Sequence, residues 1–203
     1  MSTETSTTIT RAADLKQVPW RNGQGMTTEI ALGGSPDDFT WRVSLAEVAQ
    51  SGDFSAFPGI DRIIVLIEGP SMRLQLPGHT QVLRTDEPFA FDGGVPVQCT
   101  VDQPTRDLNV MTRRGAARAT LDVLVLVAGA PPLVVPASGT VVLVVLEGQV
   151  RLADGDTDLQ QGDVVVTEEQ VGLTGGGRVA VARILPGPAG DQLGSAAGSR
   201  RQV

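Results

Sequence analysis

The chain has 203 residues, among them 24 Gly, 13 Pro, one Cys and one His, and a formal charge of -7. That length buries a real core, as one large β domain or two small ones. A lone Cys99 rules out an internal disulfide, a lone His79 rules out schemes that need two imidazoles, and the absence of Tyr rules out a phenol acid. The acidic balance argues against nucleic acid or an anionic membrane as the main partner.

Residues 1–10 are polar and Ser/Thr-rich, lack the basic-then-apolar pattern of a secretory signal, and read as disordered. From there the chain is a series of short, Val-rich β segments punctuated by Gly and Pro about every ten residues, the pattern of a sandwich or barrel. Met26–Leu32, Trp41–Ala46 and Asp107–Arg113 alternate with period two. Val95, Val97, Cys99 and Val101 alternate as a buried strand does, so Cys99 reads as a small core residue. No window holds a sustained 3.6 period, and one short helix is expected near 115–121. The apolar run from Val123 to Pro136 is broken by Gly129, Pro131 and Pro132, and falls short of the ~20 residues of a membrane span. Residues 187–203, rich in Gly, Ala and Ser, read as a disordered tail. A cytoplasmic location is the default expectation.

Fifteen of the 16 basic residues are Arg, and Lys16 lies in no Gly-rich phosphate loop. Ligand-facing cations will therefore be guanidinium groups, which suit carboxylates. No Gly-x-Ser-x-Gly elbow is present.

An internal repeat organises the chain. Ile63–Gly69 reads IIVLIEG and Val141–Gly148 reads VVLVVLEG, with the two Glu-Gly pairs 79 residues apart. Each is expected to turn at its Gly into a second strand, Met72–Leu76 or Gln149–Leu152, and then to reach a further strand. This wording resembles the cupin barrel, and two copies resemble a bicupin. The segments VPWRNGQGMTTEI from Val18, FTWRVSLA from Phe39, FSAFPGIDR from Phe54 and DLNVM from Asp107 together resemble the HutD/Ves family, associated with bacterial histidine utilisation. The motifs span about residues 18–115. The resemblance implies an all-β bicupin of two RmlC-like jelly-roll barrels: 11–115 as the ligand-bearing barrel and 116–186 as a degenerate one.

Metal-dependent cupins hold their ion with a His-x-His…Glu set and a later His. With His79 alone, in the loop Pro77–Thr80, the chain reads as free of metal and cofactor. What remains is polar stripes in apolar strands: Arg42, Ser44 and Ala46; Thr27, Glu29 and Ala31; Asp107, Asn109, Met111 and Arg113. By themselves such stripes fit solvated strand faces. The resemblance turns them into the lining of the first barrel. There Glu29 and Asp107 would hold Arg42, leaving part of its fork for a ligand carboxylate. Arg62, at a strand entry, is expected at the rim, either paired with Asp61 or facing ligand. Trp20 is a packing anchor or a pocket wall, and Asn22 lies in the turn beside it. Phe54, Phe57, Phe89 and Phe91 read as core, with Phe89 and Phe91 sealing a barrel end.

The expected function is binding of a small anionic carboxylate from histidine breakdown, such as formylglutamate or urocanate, in a regulatory role. A metal-independent enzyme using Glu29 or Asp107 as base, and a ligand-free structural bicupin, stay open. A homodimer through strand edges is an expectation by fold analogy.

Overall fold

The structure is a computed structural model, and it describes residues 7–20, 25–137, 139–155 and 157–187. In chain order the strands are β1 (Thr8–Thr10), β2 (Lys16–Pro19), β3 (Gly25–Ser35), β4 (Asp38–Val48), β5 (Gly52–Phe54), β6 (Ile60–Glu68), β7 (Met72–Leu76), β8 (His79–Leu83) and β9 (Phe89–Asp92). They continue with β10 (Val97–Thr100), β11 (Thr105–Arg113), β12 (Ala117–Leu126), β13 (Leu133–Val135), β14 (Thr140–Leu152), β15 (Asp158–Leu159), β16 (Val164–Thr167) and β17 (Val171–Pro186). A single 3₁₀ turn, Ala12–Asp14, is the one helical segment among the described residues.

Period two decides where each strand goes. One sheet runs β2-β3-β4-β11-β6-β9, and a second runs β5-β10-β7-β8. Val48, Ile64 and Leu66 of the first sheet pack against Met72, Leu74, Leu83, Val97 and Cys99 of the second. The alternate residues of the first sheet, Val43, Leu45, Val65, Leu108 and Val110, face the other way. They pack on Leu121, Val142, Val144, Ala180 and Ala182 of a third sheet, ordered β1-β16-β14-β17-β12. That third sheet folds over a core of its own, with Val141, Leu143 and Val145 meeting Val150, Leu152, Leu173 and Val181. Two β units thus share one apolar seam. Its many fully buried Val and Leu side chains each contribute about 1.5–3 kcal/mol.

Three sequence expectations fail here. The expected helix near 115–121 is strand β12, because Ala117, Ala119, Leu121 and Val123 share one buried face with period two. Residues 8–10 are not disordered: β1 pairs with β16, and Ile9 reaches the core of the third sheet. Arg11 Nη1 adds an ion pair to Asp163 at 2.6 Å, and the Ala12 amide donates to the same carboxylate at 3.0 Å. These contacts join the start of the chain to the second unit. The third failure concerns the repeat. Gly69 does end β6, but Gly148 lies inside β14, which runs straight on past a bulge between Val145 and Glu147. Gly148 takes φ 86°, and a Cβ there would stand 2.2 Å from the Gly176 carbonyl. Its glycine serves a close strand crossing opposite Gly175–Gly177 rather than a turn.

Candidate functional site

The register of the first sheet sets the site. Glu29, Ser44, Asn109 and Ile64 form one row across β3, β4, β11 and β6. Thr27, Ala46, Asp107 and Leu66 form the next, while Arg42, Met111, Arg62 and Phe91 lie on the other side. These residues share the face of Val48 and Ile64, so they point toward the space between the two sheets of the first unit, with Glu29 and Arg42 partly exposed at its edge. Ser44, Arg62, Asp107 and Asn109 are all buried.

Arg62 is the centre of the site, and it is not at a rim: only 5% of it is exposed. Its guanidinium lies 5.0 Å from the Phe91 ring centroid, 5.4 Å from Phe54 and 5.8 Å from Phe57. Ring faces stabilise the cation and exclude water. Gly93 gives it room, since a Cβ there would approach the Arg62 stem to 3.0 Å. Arg62 Nη2 donates to Asn109 Oδ1 at 2.5 Å, and Asn109 Nδ2 donates in turn to Asp107 Oδ1. Burial pulls the Arg62 guanidinium down to about 10, opposed by the Asp107 charge, with Arg42 lowering it further. Burial pushes the Asp107 carboxyl up to about 7, against the pull of Arg62. Two buried atoms of the chain Arg62–Asn109–Asp107, Arg62 Nε and Asp107 Oδ2, have no hydrogen-bond partner among the described residues.

A cavity of about 470 Å³ opens onto this group. Its walls include Trp20, Phe54, Phe57, Met111 and Asp53, with Arg62 and Asn109 supplying buried polar atoms. Trp20 is held by its Nε1 donating to Thr27 Oγ1 at 2.7 Å and by an edge contact with Phe54 at 6.4 Å. A mostly apolar cavity with few convergent polar groups is the ordinary form of a small-molecule site.

Of the residues singled out in the sequence, Trp20, Arg62 and Asn109 line the cavity. Ser44 and Asp107 are buried beside it. Glu29 and Arg42 are half-exposed neighbours, with Arg42 Nε 3.3 Å from Glu29 Oε2. Asn22 lies outside the described residues. The expected grip of Asp107 on Arg42 is corrected: Asp107 is joined through Asn109 to Arg62, because Arg62 and Asn109 sit on adjacent strands β6 and β11. Asp61 does not hold Arg62 either; it takes Arg114 at 2.6 Å, on the opposite face of the strand. Phe54 and Phe57, read as core, are half-buried cavity walls; their place in the FSAFPGIDR segment, just before Arg62, was the available signal. Phe89 and Phe91 stack at 5.7 Å at the side of the barrel core.

His79 is exposed at the head of β8, and among the described residues no three His, Cys, Asp or Glu side chains converge as a metal site. No helix among the described residues is long and apolar enough to cross a membrane.

Known proteins place this architecture. Protein Ves of Citrobacter koseri is 41% identical over 113 residues, which is 52% of this chain and 59% of that protein. An uncharacterised 21.2 kDa protein in the hutC 3′ region of Pseudomonas putida is 38% identical over 117 residues, 56% of this chain and 62% of its own. The matched stretch thus spans about three-fifths of these curated relatives. A conserved protein of unknown function from Pseudomonas aeruginosa superposes with a TM-score of 0.79 at 34% identity, covering 89% of this chain and 99% of that one. HutD of Pseudomonas fluorescens superposes with a TM-score of 0.77 at 28% identity, covering 90% and 100%. The Escherichia coli pirin YhhW, in complex with nickel(II), matches at 0.66 with 10% identity, covers 90% and 100%, and speaks for the cupin-like fold alone. The HutD family model matches residues 12–181. The chain therefore belongs to the HutD family, which is linked to the histidine-utilisation region.

Proposed function

We propose that this protein binds a small carboxylate in the cavity of its first β unit and modulates histidine utilisation through that binding. The observation that carries the reading is Arg62: a guanidinium ringed by three aromatic faces, at the wall of a cavity, with its Nε unpartnered. A buried cation left with unused donors is costly, and a ligand carboxylate offsets that cost by charge-assisted hydrogen bonds. Formylglutamate and urocanate both carry the required group, and the family's link to histidine utilisation supports them as ligands. Asn109 and Trp20 orient the anion, and Arg42 adds positive potential from β4.

An enzymatic reading draws on the Asp107 carboxyl, held near 7, where a general base is useful. Its 0% exposure and its position behind Asn109 keep it from a bound substrate, which favours binding over turnover.

Isothermal titration with formylglutamate and urocanate, with metal analysis of the same sample, tests the proposal. Saturable binding that Arg62→Ala weakens ten- to hundredfold, roughly the effect of one charge-assisted bond, supports it. Binding of neither compound up to millimolar concentration overturns the ligand assignment.

A further inference from the structure

We propose that Asp107 is the buried countercharge of Arg62 and that an anion entering the cavity displaces it by protonation, so that carboxylate binding at this site takes up a proton. The inference rests on the reading of the cavity as an anion site and adds what that site does to its own charge.

Asp107 has 0% exposure, so water does not screen it. Its Oδ1 is taken by the Asn109 amide, while Oδ2 is buried without a partner. Asn109 is already committed to Arg62 through its Oδ1. The three side chains therefore form one donor chain from guanidinium through amide to carboxylate. Asp107 acts through Asn109 and is a positioning residue. With Asp107 ionised, Arg62 and Asp107 sum to zero and the cavity holds little attraction for an anion. With Oδ2 protonated, the pair carries a full positive charge. The step is simple in its balance: one proton drawn from bulk solvent ends on Oδ2, one O–H bond forms there, and the buffer acid that replaces the proton is left in solution as its conjugate base.

The charged and titratable groups that face this pair come from every neighbouring element. Arg62 on β6 is held at about 10 and keeps its charge through neutral pH. Cys99 on β10, across the core, stays a thiol, pushed up to about 12 chiefly by burial and secondarily by the Asp107 charge. Arg42 on β4 acts on Arg62 and is itself near Glu29 of β3. Asp53 stands at the cavity wall from β5. Asp107 itself, pushed up to about 7, is placed to change charge near neutral pH. A bound anion moves it higher still, so uptake belongs to the range just above pH 7.

The test is calorimetry with N-formyl-L-glutamate and, separately, sodium formate, between pH 6 and 9, in buffers of different ionisation heat. Neither probe changes its own charge in that range. The expected result is constant affinity below about pH 7 and a fall of about tenfold per pH unit above it, with up to one proton taken up per anion. Asp107→Asn should bind at pH 8.5 as tightly as the unaltered protein binds at pH 6, without proton uptake. If that variant does not fold, the pH and buffer series on the unaltered protein decides alone. Binding of equal affinity at every pH, with heats independent of buffer, overturns this inference and leaves the anion site standing. Absence of binding by both probes at every pH overturns the two together.

Discussion

Arg62 and Asn109 are not register partners: Arg62 lies opposite Met111, and Asn109 lies opposite Ile64. Their 2.5 Å hydrogen bond is a diagonal contact between adjacent strands, reached because both side chains point into the same barrel. The diagonal aims the guanidinium past Met111 toward the cavity instead of straight across the sheet. Arg62→Lys should therefore not rescue binding. A single ammonium lacks the planar fork that meets Asn109 and a carboxylate together. Titration of a carboxylate probe into both variants checks this, and a lysine variant with full affinity would count against the diagonal geometry as the source of recognition.

The Asp107 carboxyl makes a prediction about stability. Folded, it keeps its proton up to about pH 7; unfolded, it loses it at about 3.9. Between these values the folded state binds more protons, so stability falls as pH rises through that window. Asp107→Asn has no such loss. Melting temperatures of the two proteins should lie close near pH 4 and separate by pH 8, with the variant higher by the equivalent of a few kcal/mol. A gap that does not widen with pH would show that Asp107 is ionised well below 7.

Arg178 joins the two β units. Its Nη1 meets both oxygens of Asp86 at 2.7 and 2.8 Å, and its Nε meets Glu147 at 2.9 Å. The Asp86 backbone adopts φ 67°, a left-handed conformation that Asp and Asn tolerate better than branched residues. Arg178→Met should cost about 1 kcal/mol, discounted for partial exposure, or ~2–4 °C in melting temperature. Asp86→Val should cost more than Asp86→Asn, because it adds backbone strain to the lost pair. Thermal melts of the three variants give the order directly.

Cys99 is fully buried, and its thiol is pushed up to about 12, chiefly by burial and further by the Asp107 charge. Only the thiolate reacts with alkylating reagents. Iodoacetamide at pH 8 should leave the native protein unmodified for hours and label it fully in denaturant. Fast labelling of the native state would mean that the facing sheets open far more readily than their packing implies.

Much of this molecule was legible in its residues. Val-rich alternation and regular Gly and Pro breaks determined an all-β chain, and the repeated Glu-Gly strands pointed to two related units. Period two also sorted Arg42, Ser44, Asp107 and Asn109 onto polar faces. What period two cannot state is which face turns inward. That was decided by the seam between the units, where Val43, Leu45, Leu108 and Val110 are claimed by the third sheet and so force their polar neighbours into the barrel. Local pattern misplaced the 115–121 segment and the Glu147-Gly148 turn for a related reason. A strand extended by long-range pairing overrides short-range signals. The site followed the same rule in part: Asp107 and Asn109 share one strand face and Phe54 and Phe57 shortly precede Arg62 in the chain, but only antiparallel register brought Asn109 and Phe91 to the Arg62 cation. A contact such as Arg62–Asn109, between residues 47 positions apart, is a property of strand order, which single-strand chemistry does not encode.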